Sequence, residues 1–112
     1  MIYKILSSSE WEQARAAGRF TGTELDRQDG FIHLSAADQV VRTARRYFAG
    51  ATGLTVLAVD PDRLGDALRW EVSRDGALFP HLYAPLPVEA VVTAHPLPAD
   101  RPAADAVAEL LP

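Results

Sequence analysis

The sequence contains no cysteine, and with it go disulfides, thiolate metal sites, a cysteine nucleophile and any redox argument for export. No glycine-rich phosphate loop occurs either, so neither a P-loop nor a G-x-G-x-x-G dinucleotide fingerprint is present. A basic excess is equally missing. Eleven Lys and Arg stand against fifteen Asp and Glu, a formal charge of −4, which argues against a DNA partner and favours small-molecule ligands. No apolar run approaches the roughly 20 residues of a membrane span, and Met1-Ile2-Tyr3-Lys4 lacks the apolar core of a signal peptide. These features predict a cytoplasmic chain without membrane association. The three histidines are far apart, with no i,i+4 pair, so no metal is expected.

What is present is ordinary globular composition. At 112 residues, 48% hydrophobic and 23% charged, the chain has the material for one hydrophobic core and one domain. Ile2 to Leu6 reads as a strand, and Ser9-Glu10-Trp11-Glu12 as a capping box opening a helix that Gly18 ends. The polar stretch from Gly22 to Gly30 reads as a long surface loop. Phe31 to Leu34 suits a strand running into a helix capped at Ser35, with Ala37, Val40, Val41, Ala44 and Phe48 as its buried stripe. Leu54 to Val59 is apolar enough for a central strand covered on both faces. Leu68 to Val72 and Leu78 to Tyr83 form an expected hairpin around Arg74-Asp75-Gly76, with Pro80 marking an edge or bulge. Val88 to Ala94 gives a last strand, and Asp100 caps a short C-terminal helix. Strands bunched in the second half predict an α+β domain.

Chemistry concentrates in three strings. His33 and Ser35 are two apart, so on a strand they leave one face, beside the free N–H groups of the following helix, a geometry that favours an anion. Equally, Ser35 is a plain N-cap and His33 a satisfied strand histidine. Phe79, His81 and Tyr83 share a face, as an aromatic wall with a second imidazole or as core residues beside an edge histidine. Glu71 faces away from Trp70, as a cleft carboxylate or as a cross-strand partner of Arg69 or Arg74. Arg42 and Arg45 are phosphate clamps or solvent-facing helix residues.

Taken together, Gly30-Phe-Ile-His33-Leu-Ser35, Leu68-Arg-Trp70-Glu71 and Phe79-Pro-His81-Leu-Tyr83-Ala-Pro-Leu-Pro resemble the small bacterial family called domain of unknown function 952, over residues 1 to about 97. The resemblance implies a compact ADP-ribosyltransferase-like fold over residues 1–97, a split antiparallel β core with two main helices, followed by a tail, 98–112, with a short helix. It implies NAD as ligand or substrate. In that larger class a strand His followed two positions later by Ser or Thr contacts the ribose, which His33 and Ser35 match; an aromatic stacks on nicotinamide, and a late glutamate stabilises the transition state. Glu71 lies one strand early, and His81 or Phe79 takes the third position, while relatives such as the tRNA 2′-phosphotransferases use other residues there. The resulting expectation has Glu71 and His81 as catalytic residues, with His33, Ser35, Arg42, Trp70, Phe79 and Tyr83 binding a nucleotide. Two alternatives stand beside it: a non-catalytic nucleotide or partner-binding module, and a two-histidine phosphoesterase.

Overall fold

Two antiparallel sheets divide the chain, and it crosses from one to the other inside the segment that the sequence singles out. The computed structural model describes residues 1–73 and 76–111. The first sheet has the order β4-β1-β5-β9, built from β4 (Ser35–Ala36), β1 (Ile2–Ser7), β5 (Leu54–Val59) and β9 (Val91–Pro96). The second is β3-β7-β6, from β3 (Ile32–His33), β7 (Leu78–Leu82) and β6 (Leu68–Val72), and β2 (Arg19–Phe20) pairs with β8 (Leu86–Pro87) as a small ribbon. Four α-helices lie among the described residues: α1 (Ser8–Ala17), α2 (Glu24–Asp29), α3 (Val40–Tyr47) and α4 (Ala103–Leu110). Every strand pair is antiparallel, and the class is α+β.

Alternation along β1 and β5 puts a core on each side of the first sheet. Ile2, Leu6, Leu57 and Val59 join Trp11, Phe20, Ile32, Leu82 and Leu86 in one cluster. Ile5, Leu54 and Val56 meet Val40 and Ala44 of α3 and Ala103, Ala104, Ala106 and Val107 of α4 in the other. The apolar run of β5 is therefore central, as its composition predicts.

Several expectations change. The capping box of α1 is Ser7 with Glu10, two residues early, because the strand ends at Ser7 and its hydroxyl reaches the Glu10 N–H while Glu12 pairs with Arg15 on the surface. Residues 22–30 are no loop: Thr23 and Asp26 form a second capping box for α2, and Gly30 closes it. Ser35 caps nothing. It pairs with Tyr3 in β4, its hydroxyl bonds the Thr43 hydroxyl at 2.9 Å, and α3 starts only at Val40 with no side-chain cap. The anion-binding helix start expected beside His33 is therefore absent, and Ala37 lies exposed ahead of α3. Pro80 occupies a central strand, not an edge. Its carbonyl accepts from the Leu34 N–H at 3.1 Å, on the side where β3 has ended and the chain departs for β4, so no ladder bond needs the missing N–H. Val88–Ala90 is a 3-10 turn preceding β9, and α4 follows Pro102 without a cap from Asp100. Of the expected hairpin turn, Arg74 and Asp75 lie outside the described residues.

Candidate functional site

β4 covers only Ile2 and Tyr3 of β1. The rest of that edge, Lys4 to Ser7, borders a cleft of about 510 Å³ whose opposite walls come from α2, the α3 face bearing Thr43 and Tyr47, and the second sheet. This volume falls in the lower half of the range of small-molecule sites, about 300–1,000 Å³.

One face of the second sheet carries the titratable groups. Register sets His33 opposite His81, Arg69 opposite His81 on the other side, and Glu71 opposite Phe79. Antiparallel partners share a face, so His33, His81, Phe79 and Glu71 converge. The two imidazole centroids are 5.8 Å apart, edge to face. Phe31 stacks on His81 at 4.1 Å and tilts against both His33 and Tyr83.

Each imidazole is held by carboxylate. Nδ1 of His81 lies 2.8 Å from Glu71 Oε1, which also accepts from the Tyr83 hydroxyl at 2.7 Å. A carboxylate offers only lone pairs, so Nδ1 carries the hydrogen and Nε2 is the basic nitrogen of neutral His81. The Tyr83 and His81 hydrogen bonds hold the Glu71 carboxyl below its ordinary range, and the same contact pushes the Tyr83 phenol up. His33 lies between two acids: Nδ1 is 2.6 Å from Asp26 Oδ1 and Nε2 2.9 Å from Asp29 Oδ2. Both contacts are donated at once only when both nitrogens bear hydrogen.

Asp26 is buried at 2% exposure and gathers the site. It accepts from the backbone N–H of Thr23 and of His33, from the His33 ring and from Lys4 Nζ. Burial alone raises its pKa, but the His33 hydrogen bond and the Lys4 charge prevail and hold it well below the carboxylate range. Lys4 also donates to the His33 carbonyl at 2.9 Å. For Lys4 burial outweighs the attraction of Asp26, and its pKa is lowered.

Of the residues expected at the site, His33, Ser35, Phe79 and His81 line the cleft, and Glu71 and Tyr83 join them through hydrogen bonds. Trp70 points from the opposite face of β6, 48% exposed, and Arg42 is exposed on α3 outside the cleft lining. Sequence reasoning passed over Lys4, Asp26 and Asp29. The signals were a lone lysine inside an apolar strand and the string Thr23-x-x-Asp26 ahead of Gly30, which marks a capped helix in a segment polar enough to pass for a loop. Among the described residues no cluster of three or more His, Asp or Glu suits a metal ion, and no helix is long and apolar enough to cross a membrane.

Residues 5–94 match the family described as protein of unknown function DUF952. The chain belongs to this family. Protein CC0527 from Caulobacter crescentus is similar throughout: its crystal structure is 49% identical with a TM-score of 0.87, covering 96% of this chain and 97% of that one. The crystal structure of a double mutant of CC0527 gives 48% identity and the same TM-score, 0.87, covering 96% and 97%. The solution structure of CC0527 gives 52% identity and 0.78 over 88% of this chain and 87% of that one. No curated protein matches the chain. The fold described above is thus shared along nearly the whole length of CC0527.

Proposed function

We propose that the cleft binds NAD by its nicotinamide–ribose portion and exposes the bond between them to cleavage, on an ADP-ribosyltransferase-like plan. The observation that carries this reading is the cross-strand pair of His33 and His81, each with Nδ1 fixed by a carboxylate at the wall of a nucleoside-sized cleft. An Nδ1–carboxylate contact fixes ring and tautomer, so the remaining nitrogen is aimed in advance. His33 Nε2 faces the more exposed Asp29, and a ribose hydroxyl exchanges for that carboxylate. Phe79 supplies aromatic surface in the cleft on the same face, and Phe31 packs against both imidazoles. As the C1′–N bond breaks, its electron pair leaves with neutral nicotinamide, and an acceptor hydroxyl, water in the simplest case, attacks C1′. Its proton passes to His81 Nε2, and Glu71 stabilises the imidazolium so formed.

Calorimetric titration with NAD and chromatography of released nicotinamide test this reading. His33→Ala is expected to weaken binding, and His81→Ala to stop release while binding persists. No heat and no chemical-shift change near His33 at millimolar NAD removes the proposal, and binding without release over long incubation leaves a nucleotide-binding module. The paired imidazoles also favour a second reading, acid–base cleavage of a cyclic phosphodiester. Hydrolysis of cyclic nucleotides without nicotinamide release puts it in place of the first.

A further inference from the structure

Resting on the reading of the cleft as a site for an N-riboside, we infer that the cleft takes only the cationic or uncharged half of such a ligand, an N-ribosylpyridinium, and excludes its phosphates. Charge sets this selectivity. Apart from the two imidazoles, the charged side chains lining the cleft among the described residues are Lys4, Glu10, Asp26 and Asp29, three acids against one base. Lys4 is committed: it is buried, 2.9 Å from Asp26 Oδ2 and 2.9 Å from the His33 carbonyl. Glu10 is held in the Ser7 capping box.

The arginines of α3 do not change this balance. Arg42, Arg45 and Arg46 are exposed and absent from the lining, whereas Thr43, Tyr47 and Phe48 present uncharged surface to it. The helix start that would attract an anion beside His33 is replaced by β4. A pyrophosphate entering here meets carboxylates in a partly desolvated space with no uncommitted lining cation among the described residues, where like charges repel strongly. A pyridinium ring meets the reverse: the half-exposed Asp29 carboxylate and the aromatic surface of Phe79 and Tyr47.

The test is a set of calorimetric and chemical-shift titrations of the intact chain with nicotinamide riboside, nicotinamide mononucleotide, NAD and ADP-ribose. The riboside is expected to bind at least as tightly as NAD and ADP-ribose about tenfold more weakly than the riboside. Asp29→Asn, at a partly exposed position, is expected to weaken the riboside about threefold and narrow its lead over ADP-ribose. If NAD and ADP-ribose bind and the riboside does not, phosphate is what the chain recognises and the inference falls, while release of nicotinamide from NAD still decides the proposed cleavage. If neither NAD nor the riboside binds, both fall together.

Discussion

At the scale of single residues, the site depends on a charge that the sequence hides. Lys4 and Asp26 are an ion pair withdrawn from water, and removing one member strands the other. Lys4→Met is expected to destabilise the chain by about 3 kcal/mol in urea unfolding, the lower end of the cost of removing one member of a buried pair, because the donors from Thr23 and His33 still hold Asp26. Asp26 sets an acid limit as well. Its pKa in the folded chain lies below the unfolded value of about 3.9, so its contribution is complete above that value and drains away as pH falls through the folded one. The loss is confined to the acid side of about pH 4. Asp26→Asn should be less stable at neutral pH and show a flatter acid limb when unfolding is followed by circular dichroism from pH 6 downwards; an unchanged limb would contradict the assignment. His33 and His81 were each legible as candidates from strand parity, but that they face each other comes from the β3–β7 register, which no local pattern gives. Their carboxylate partners divide by distance. Glu71 sits on the adjoining strand and was visible, whereas Asp26 reaches His33 through a tertiary arrangement that no local pattern encodes.

At the scale of elements, the apolar runs read true: β1 and β5 lie where composition put them, since a run of that kind has few other uses, whereas α3 ends near the expected residue but starts five residues beyond Ser35. The segment 22–30 misled because its polar residues satisfy one another, Thr23 and Asp26 reciprocally capping a helix of six residues that exposes most of its surface. Gly22 is the backbone element of that arrangement. Its φ of +107° is foreign to other residues, and a Cβ there would stand 2.9 Å from Asp26 Cβ. Gly22→Ala is therefore expected to cost clearly more than Gly18→Ala, where φ is also positive but space is open and the cost is about 1 kcal/mol. Paired thermal melts test the difference, and the Gly22 variant should also shift the His33 ring resonances while the Gly18 variant leaves them in place. β4 was illegible for a related reason: two residues give no periodicity, and Ser35 ahead of Asp38 imitates a helix cap.

At the scale of the whole molecule, the first sheet is covered on both sides, and α4 is part of the cover. Its Ala103, Ala104, Ala106 and Val107 are buried against α3 and β5, in the stretch beyond residue 97 that sequence reading treated as a tail. Ending the chain at residue 97 should therefore lower stability by roughly 3 kcal/mol or more through exposed apolar surface, read as a drop in the urea midpoint; an unchanged midpoint would show that the second core holds without α4. The crossing between sheets carries a consequence of its own. His33 belongs to the sheet that bears the imidazoles and Ser35 to the sheet that bears Lys4, so Leu34 is the only residue between the two halves of the wall. It is tied down by a buried side chain and by its N–H to Pro80. The two sheets thus meet like the covers of a book at a one-residue spine, and hydrogen exchange at Leu34 N–H measures how often that book opens.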